Sequence, residues 1–506
     1  MGLNLFARKD VRTMLKETEG ERGGLRRTLG AFNLVTLGIG AIIGTGIFVM
    51  TGQAAAIYAG PAVVLSFTVA AIASAFAGLC YAEFSSLIPI AGSAYSYGYT
   101  SMGEIVAWII GWALILEYAF GAATVAVGWS GYINSFLQGI GINLPPAFTA
   151  APGTVQVLYQ GHWTTPMSLP ASVNVALLPH ATAHFDLIAL IGVMLVTAVL
   201  VKGISESANV NNAIVVIKVS VLLVFLGLAA MFFSHAGWSR AQANWHPFLP
   251  YGWSGVFHGA AYIFFAYIGF DAVSTAAQEA KNPQKDMPIG ILGSLVICTI
   301  LYVAVGGLLT GLLPYTRLNV PDPVAVGVDV TGVAWGSFLV KLGAICGLTS
   351  TMLVMLLGQS RIFFTMSSDG LLWKWAGKIH PKFRTPYISS IVVGLAVAIL
   401  AASLPLSTVA ELTNIGTLSA FTIVCAGVWV LRRLEPNLER PFKVPLVPLV
   451  PIIGAAIALF LIWELKAITK EVFLVWLLGG LVVYFFYGRK HSRVQEALRK
   501  ASGVGR

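Results

Sequence analysis

Four ionisable side chains lie inside long apolar stretches of the sequence: Glu83, Glu117, Lys218 and Asp271. A charged side chain at the centre of a lipid bilayer costs roughly 2.5–3.5 kcal/mol on insertion scales, so it indicates a functional or paired group. Lys218 is the most isolated of the four. A buried lysine that gains and loses a proton can couple a process to a proton gradient. The alternative is a fixed internal salt bridge with a carboxylate on another span.

The three carboxylates differ in depth. Glu117 and Asp271 lie deep in their apolar stretches, where they can meet a cationic group. For Glu117 this interpretation and ordinary structural pairing are equally open. Glu83 lies close to the end of its stretch, so we expect a structural or gating contact there.

A glycine-rich segment at 38–48 predicts an interruption in a helix. Four glycines fall within nine residues, and each weakens a helix by up to about 1 kcal/mol. An interruption beside Ile42 and Ile43 would free the N–H groups of the next three residues, Gly44, Thr45 and Gly46. Such groups at the start of a half-helix bind a carboxylate. The alternative is close helix packing through small residues.

The segment 264–271 combines one glycine with a carboxylate. An interruption there would expose the carbonyl groups of Phe265, Ala266 and Ile268, which suit an ammonium group. The Phe265 ring could close over a ligand, although packing is the commoner role of an aromatic side chain. A site for a carboxylate that faces a site for an ammonium group matches the two charged groups of an α-amino acid backbone.

The elements that must position these groups are membrane spans. Only 10% of the 506 residues are charged, and the mean hydropathy is +0.81, whereas about a quarter of the residues of a soluble protein are charged. We predict an all-α polytopic membrane protein. Its twelve predicted spans are 28–58, 61–88, 104–137, 185–201, 210–233, 255–278, 288–313, 333–366, 388–402, 407–431, 447–463 and 472–487.

The distribution of Lys and Arg predicts the orientation. With the N-terminus in the cytoplasm, 25 basic residues fall on the inner side and 5 on the outer side. This asymmetry predicts cytoplasmic termini. The net charge of +10 therefore reflects topology and not a nucleic-acid partner. The segment 138–184 has no Lys or Arg and is predicted to be an external loop that partly covers the outer face.

Other small polar residues carry weaker signals. Thr349, Ser350 and Thr351 could line a cavity, but hydroxyls bonded to their own helix carbonyls are the preferred interpretation. The four cysteines stand singly in apolar runs. We expect them to be buried, with no metal site, disulfide or cofactor.

Glycine interruptions in the first and sixth spans predict two halves. Interruptions at corresponding positions are typical of transporters built from inverted repeats. Five spans reverse the chain direction, so the halves would be related by inversion. The predicted organisation is listed by residue range: a cytoplasmic segment 1–27, repeats 28–233 and 255–431, two further spans within 432–487, and a cytoplasmic tail 488–506.

Several segments together resemble the amino acid–polyamine–organocation transporters, and above all the bacterial relatives of the cationic amino acid transporters. They lie in order along nearly the whole chain, at 40–48, 81–84, 264–271, 279–285, 361–367 and 414–418. The resemblance implies a LeuT-like 5+5 inverted repeat followed by two C-terminal helices. It also implies binding at positions shared with those transporters, namely Ile42, Thr45, Gly46, Phe265, Ala266, Ile268 and Asp271.

The resemblance further implies that Lys218 takes the place of a sodium ion, which favours proton coupling. The expected protein is not an enzyme but a plasma-membrane symporter that imports arginine, lysine or small neutral L-amino acids together with protons. An exchanger of the same fold is the alternative. A membrane enzyme or a channel is less well supported, since the sequence has neither H-E-x-x-H nor a phosphate-binding loop. Cationic preference rests on Glu117 and Asp271. Ile90 stands where relatives often have a basic residue.

Overall fold

A computed structural model describes residues 4–10, 28–90, 92–169, 172–203 and 208–501. The helices are α1 (Ala31–Ile42), α2 (Gly46–Leu87), α3 (Ser93–Ser101), α4 (Glu104–Gly139), α5 (Leu187–Lys202), α6 (Ala208–Phe232), α7 (Trp238–Asn244), α8 (Gly252–Ile263), α9 (Phe270–Thr275), α10 (Pro283–Leu312), α11 (Pro323–Asp329), α12 (Ala334–Ser368), α13 (Tyr387–Ser403), α14 (Leu406–Leu434), α15 (Leu449–Glu464), α16 (Ala467–His491) and α17 (Arg493–Ala501). Each predicted span falls on one or two of these helical segments, and the first two spans share α2.

Eight helical segments among the described residues are long and apolar enough to cross a membrane, and α1, α5, α13 and α15 are shorter apolar helices. The protein is therefore a multi-pass helical membrane protein, and the count of twelve crossings stays a prediction. The longest segment, α2, is divided at Gly60, whose φ of +62° lies outside the helical region. This division falls between the first and second predicted spans.

Large apolar side chains cover the outside of the bundle. Leu195, Ile300 and Val475 are 61%, 64% and 69% exposed, which suits contact with lipid tails. Burial was predicted for all four cysteines, and for Cys346 this is wrong, because its side chain is exposed. Cys346 follows the exposed Phe338 by eight residues on α12, so it lies on the same outward face of that helix.

Both predicted interruptions are present. Helix α1 ends at Ile42, and Ile43 leaves the helical region with φ −71° and ψ 104° before the next helical segment starts at Gly46. Helix α8 ends at Ile263. A tight turn, an extended Ile268 and Gly269 with φ +122° separate it from α9. At a rise of 1.5 Å per residue, the 12-residue α1 spans about 18 Å, which is too short to cross a bilayer alone.

The predicted external loop contains a small antiparallel sheet that the sequence analysis missed. Strand β1 (Val155–Tyr159) lies between β2 (His162–Thr164) and β3 (His180–Thr182). Residue Val157 pairs with Thr164 on one side and with His180 on the other, and its side chain is fully buried. The strands are too short to give a clear alternating pattern in the sequence.

Candidate functional site

The two interruptions lie directly against each other. An ideal Cβ at Gly46 would overlap the backbone of Ala266, and a Cβ at Gly269 would come within 2.8 Å of the Ala41 carbonyl. Only glycine allows both approaches, because any side chain would push the segments apart. The predicted binding residues of both segments are brought together and are buried: Ile42, Ile43, Thr45, Gly46, Phe265, Ala266 and Ile268.

Lys218 holds the first interruption in place. Its side chain on α6 is fully buried, and Nζ donates to the carbonyls of Gly40 (2.6 Å) and Ile43 (2.9 Å) and to Oγ1 of Thr351 (2.9 Å). The carbonyl end of a helix carries partial negative charge. The ammonium group therefore compensates the partial negative charge at the carbonyl end of α1. It also links α1, α6 and α12 at one point.

Of the three adjacent hydroxyl residues at 349–351 on α12, one contributes to this contact. Thr349 and Ser350 donate to carbonyls of their own helix, as predicted. Thr351 also lies within 3.2 Å of its own helix carbonyl at Gly347, but it has a second acceptor, the carbonyl of Ile43, at 3.2 Å. Thr351 therefore links α12 to the first interruption.

Asn414 plays the corresponding part at the second interruption. Its Nδ2 donates to the carbonyls of Ala261 (2.9 Å) and Tyr262 (2.8 Å), near the end of α8. Asn414 lies on α14 and is fully buried. From the sequence, this residue was recognised only as part of the segment 414–418. A lone asparagine inside an apolar span was the signal for its role.

Asp271 is engaged in the second interruption itself. Its carboxylate accepts a hydrogen bond from the N–H of Gly269 (3.2 Å) and one from the Tyr118 hydroxyl (3.3 Å). It lies in the first turn of α9, where a negative charge is favoured by the helix dipole. These contacts give Asp271 a structural part in holding the turn, in addition to its predicted contact with substrate.

Glu117 and Thr45 present buried polar atoms to the same region. Both carboxyl oxygens of Glu117 and Oγ1 of Thr45 form no hydrogen bond of standard geometry among the described residues, and the Thr417 hydroxyl is the polar group beside the Glu117 carboxylate. Within the same part of the chain, the N–H of Gly44 and the carbonyl of Ile268 make no backbone hydrogen bond. Buried polar groups normally have partners, so these atoms are the ones that a polar ligand would satisfy.

A cavity of about 520 Å³ approaches this region from the side of the 138–184 loop. Val49 and Gly128 line it, and the methyl group of Thr45 lies 2.8 Å from an ideal Cβ at Gly128. Loop residues at 149–151, 154–155 and 165–167 also line this cavity. The loop therefore covers the cavity in part, and its predicted position on the outer face stays a prediction.

On the opposite side, Glu83 is buried in an ion pair. Its carboxylate contacts Arg432 at 2.5 Å and Arg440 at 3.4 Å, and it accepts the N–H of Val444 at 2.7 Å. The structural contact expected for Glu83 is thus observed. It ties the end of α2 to the last turn of α14 and to the segment that follows it.

These features define a multi-pass membrane protein with two interrupted helices packed together at its centre. Residues 29–496 match the family model described as "Amino acid permease", and the chain belongs to that family, within the amino acid–polyamine–organocation transporters.

Three relatives illustrate the similarity. The chain is 47% identical to the branched-chain amino acid permease BcaP of Bacillus subtilis (strain 168), over 97% of this chain and 99% of the relative. It is 44% identical to the methylthioribose transporter of the same organism, over 97% and 100%. It is 35% identical to the vacuolar cationic amino acid transporter 4 of Arabidopsis thaliana, over 82% of this chain and 64% of the relative.

Proposed function

We propose that this chain is a proton-coupled symporter that imports an L-α-amino acid across the cell membrane by alternating access. The observation that carries the proposal is the meeting of two interrupted helices at Gly46 and Ala266. In a membrane, irregular backbone is tolerated only where it is buried in protein or lines a cavity.

The amino acid backbone would bind between the two interruptions. The N–H of Gly44 and the hydroxyl of Thr45 lie at the start of a half-helix, where positive partial charge favours the substrate carboxylate. The carbonyl of Ile268 lies on the facing segment and accepts the ammonium group. The cavity beside Thr45 is the route by which substrate enters.

In both halves, a buried side-chain donor binds carbonyl groups at the end of an interrupted helix, which supports the inverted repeat. Lys218 on α6 binds carbonyls at the end of α1, and Asn414 on α14 binds carbonyls at the end of α8. The two donors belong to the fifth and tenth predicted spans, and the two ends belong to the first and sixth. With the two repeats at 28–233 and 255–431, both termini lie in the cytoplasm.

Lys218 is the proposed coupling group. Its ammonium stabilises the carbonyl end of α1, as a bound metal cation would. Loss of its proton would weaken these hydrogen bonds and loosen the first interruption. Protonation would therefore be linked to the shape of the binding site, and substrate and proton would move together.

The side chain of the substrate would approach Glu117. A carboxylate there favours a cationic side chain, whereas a protonated carboxyl group tolerates a small or aliphatic one. Both substrate types fit the names of the relatives, which include a branched-chain permease and cationic transporters. We propose cationic and neutral aliphatic amino acids as the substrate classes to test first.

The coupling proposal is tested with Lys218→Ala in proteoliposomes. Uptake of the labelled amino acid that most raises the apparent melting temperature is measured with and without an inward proton gradient. We expect gradient-driven accumulation to fall at least about tenfold, while binding measured by thermal shift weakens but remains detectable, because Lys218 shapes the site without contacting the substrate directly. Lys202→Ala, which removes an exposed lysine at the end of α5, should transport normally.

Unchanged proton-driven accumulation in Lys218→Ala would refute the coupling role. In the unmodified protein, uptake that requires amino acid inside the vesicles and does not depend on the proton gradient would instead establish exchange.

A further inference from the structure

A second cavity of about 520 Å³ lies on the face where the chain ends, far along the chain from the interrupted helices. It is formed by the end of α12 with the loop that follows, and by the C-terminal residues from 487 to 499. Its charged lining residues are Lys374, Lys490, Arg493, Arg499 and Glu496, and Tyr487 and His491 also line it. Lysine and arginine side chains thus outnumber acidic ones four to one.

This positive charge is poorly compensated by the protein. Glu496, the acidic lining residue, is paired with Lys500 at 2.7 Å and also interacts electrostatically with Arg493 and Arg499. The side chains of Lys374 and Lys490 make no ion pair or hydrogen bond with the described part of the chain, and both are exposed. Like charges gathered around one cavity repel, so an anion bound between them would be stabilised.

The C-terminal segment is held to the rest of the protein by hydrogen bonds. Ser492 donates to the buried carboxylate of Glu104 at 2.5 Å, and Tyr484 donates to the same carboxylate at 2.8 Å. The N–H of Arg493 donates to the carbonyl of Asp369 at 3.1 Å. The cavity therefore has defined walls, held on one side by α4 and on the other by the end of α12.

Aromatic residues place this cavity at the membrane surface. Trp373 and Trp375 flank Lys374 in sequence, stack with centroids 6.1 Å apart and are each 36% exposed. Trp373 also contacts Tyr487 at the end of the last span, with centroids 5.9 Å apart. Tryptophan and tyrosine are enriched at the level of lipid headgroups.

We propose that this cavity is a phosphate-binding site that ties the C-terminal segment to the loop after α12. Its ligand is a phosphate group, supplied by an anionic lipid headgroup or by a soluble phosphate compound. Lysine and arginine side chains are the usual partners of phosphate oxygens. The site is separate from the proposed substrate site, and its cytoplasmic location rests on the topology proposed above.

The test compares two double variants of the full chain. Each variant removes two exposed lysine charges. Lys374→Gln with Lys490→Gln alters the cavity. Lys378→Gln with Lys382→Gln alters exposed lysines that do not line it. Inorganic phosphate is titrated against chloride at equal ionic strength in neutral detergent, with apparent melting temperature as readout. Retained phosphatidylglycerol is counted by native mass spectrometry after passage through mixed phosphatidylglycerol–phosphatidylcholine vesicles.

We expect the cavity variant to lose about tenfold in affinity for phosphate, or to lose retained phosphatidylglycerol, while the control variant keeps both. Stabilisation by inorganic phosphate alone would assign a soluble ligand, and selective retention of phosphatidylglycerol would assign a lipid. If the double variant does not fold, Arg493→Gln is measured in the same way. Equal behaviour of the cavity and control variants with both probes would overturn the proposal.

Discussion

At the scale of single residues, the two helix ends are held by polar side chains from elsewhere in the chain. Lys218 and Thr351 bind the end of α1, and Asn414 binds the end of α8. An unpaired carbonyl in an apolar interior costs several kcal/mol. These donors therefore allow the interruptions to persist in the membrane.

The two deep carboxylates should respond differently to neutralisation. Asp271 accepts two hydrogen bonds that hold the second interruption, so Asp271→Asn should weaken binding of every amino acid. Glu117 makes no such bond among the described residues, so Glu117→Gln should weaken arginine and lysine binding about tenfold and leave alanine or leucine binding unchanged. The measurement is a thermal-shift titration with each amino acid.

Glu411→Gln is the matched control for these variants, since the hydrogen bonds of its buried carboxylate go to Lys466 and Thr469 and not to either interruption. Equal losses for cationic and neutral amino acids in Glu117→Gln would remove its proposed part in charge recognition.

At the scale of elements, glycine residues mark the two positions where the helices are interrupted. The sequence predicted both interruptions, because four glycines at 38–46 and Gly269 beside a carboxylate are local signals. Which backbone groups become paired could not be predicted, since the partners Tyr302, Thr351 and Asn414 come from distant spans. Tyr302, for example, donates to the carbonyl of Ile42 at 2.9 Å.

Gly46→Ala tests the contact between the interruptions. The added methyl group would overlap the Ala266 backbone, so we expect uptake to fall by at least about tenfold and binding to weaken, as overpacking typically costs roughly 1–3 kcal/mol. Gly227→Ala is the control, because this helical glycine on α6 has open space around it. The readouts are uptake in proteoliposomes and ligand-induced thermal shift. Wild-type uptake in Gly46→Ala would contradict the packing described here.

At the scale of the whole molecule, hydropathy and glycine patterns predicted the helical membrane fold, the positions of the apolar segments and the residues that meet at the centre. The small sheet in the 138–184 loop was missed, because strands of three to five residues carry little periodic signal. The exposed position of Cys346 was missed for a related reason. In a lipid-facing helix, apolar character marks the outside as well as the inside.

The central claim is that an amino acid binds where the two interruptions meet. It is tested most directly by an experimental structure determined with a saturating amino acid, chosen as the strongest stabiliser in a thermal-shift panel of all proteinogenic amino acids. We expect ligand density with its carboxylate at the N–H of Gly44 and its ammonium at the carbonyl of Ile268. Density confined to the cavity under the 138–184 loop, with these two groups bonded to protein instead, would contradict it.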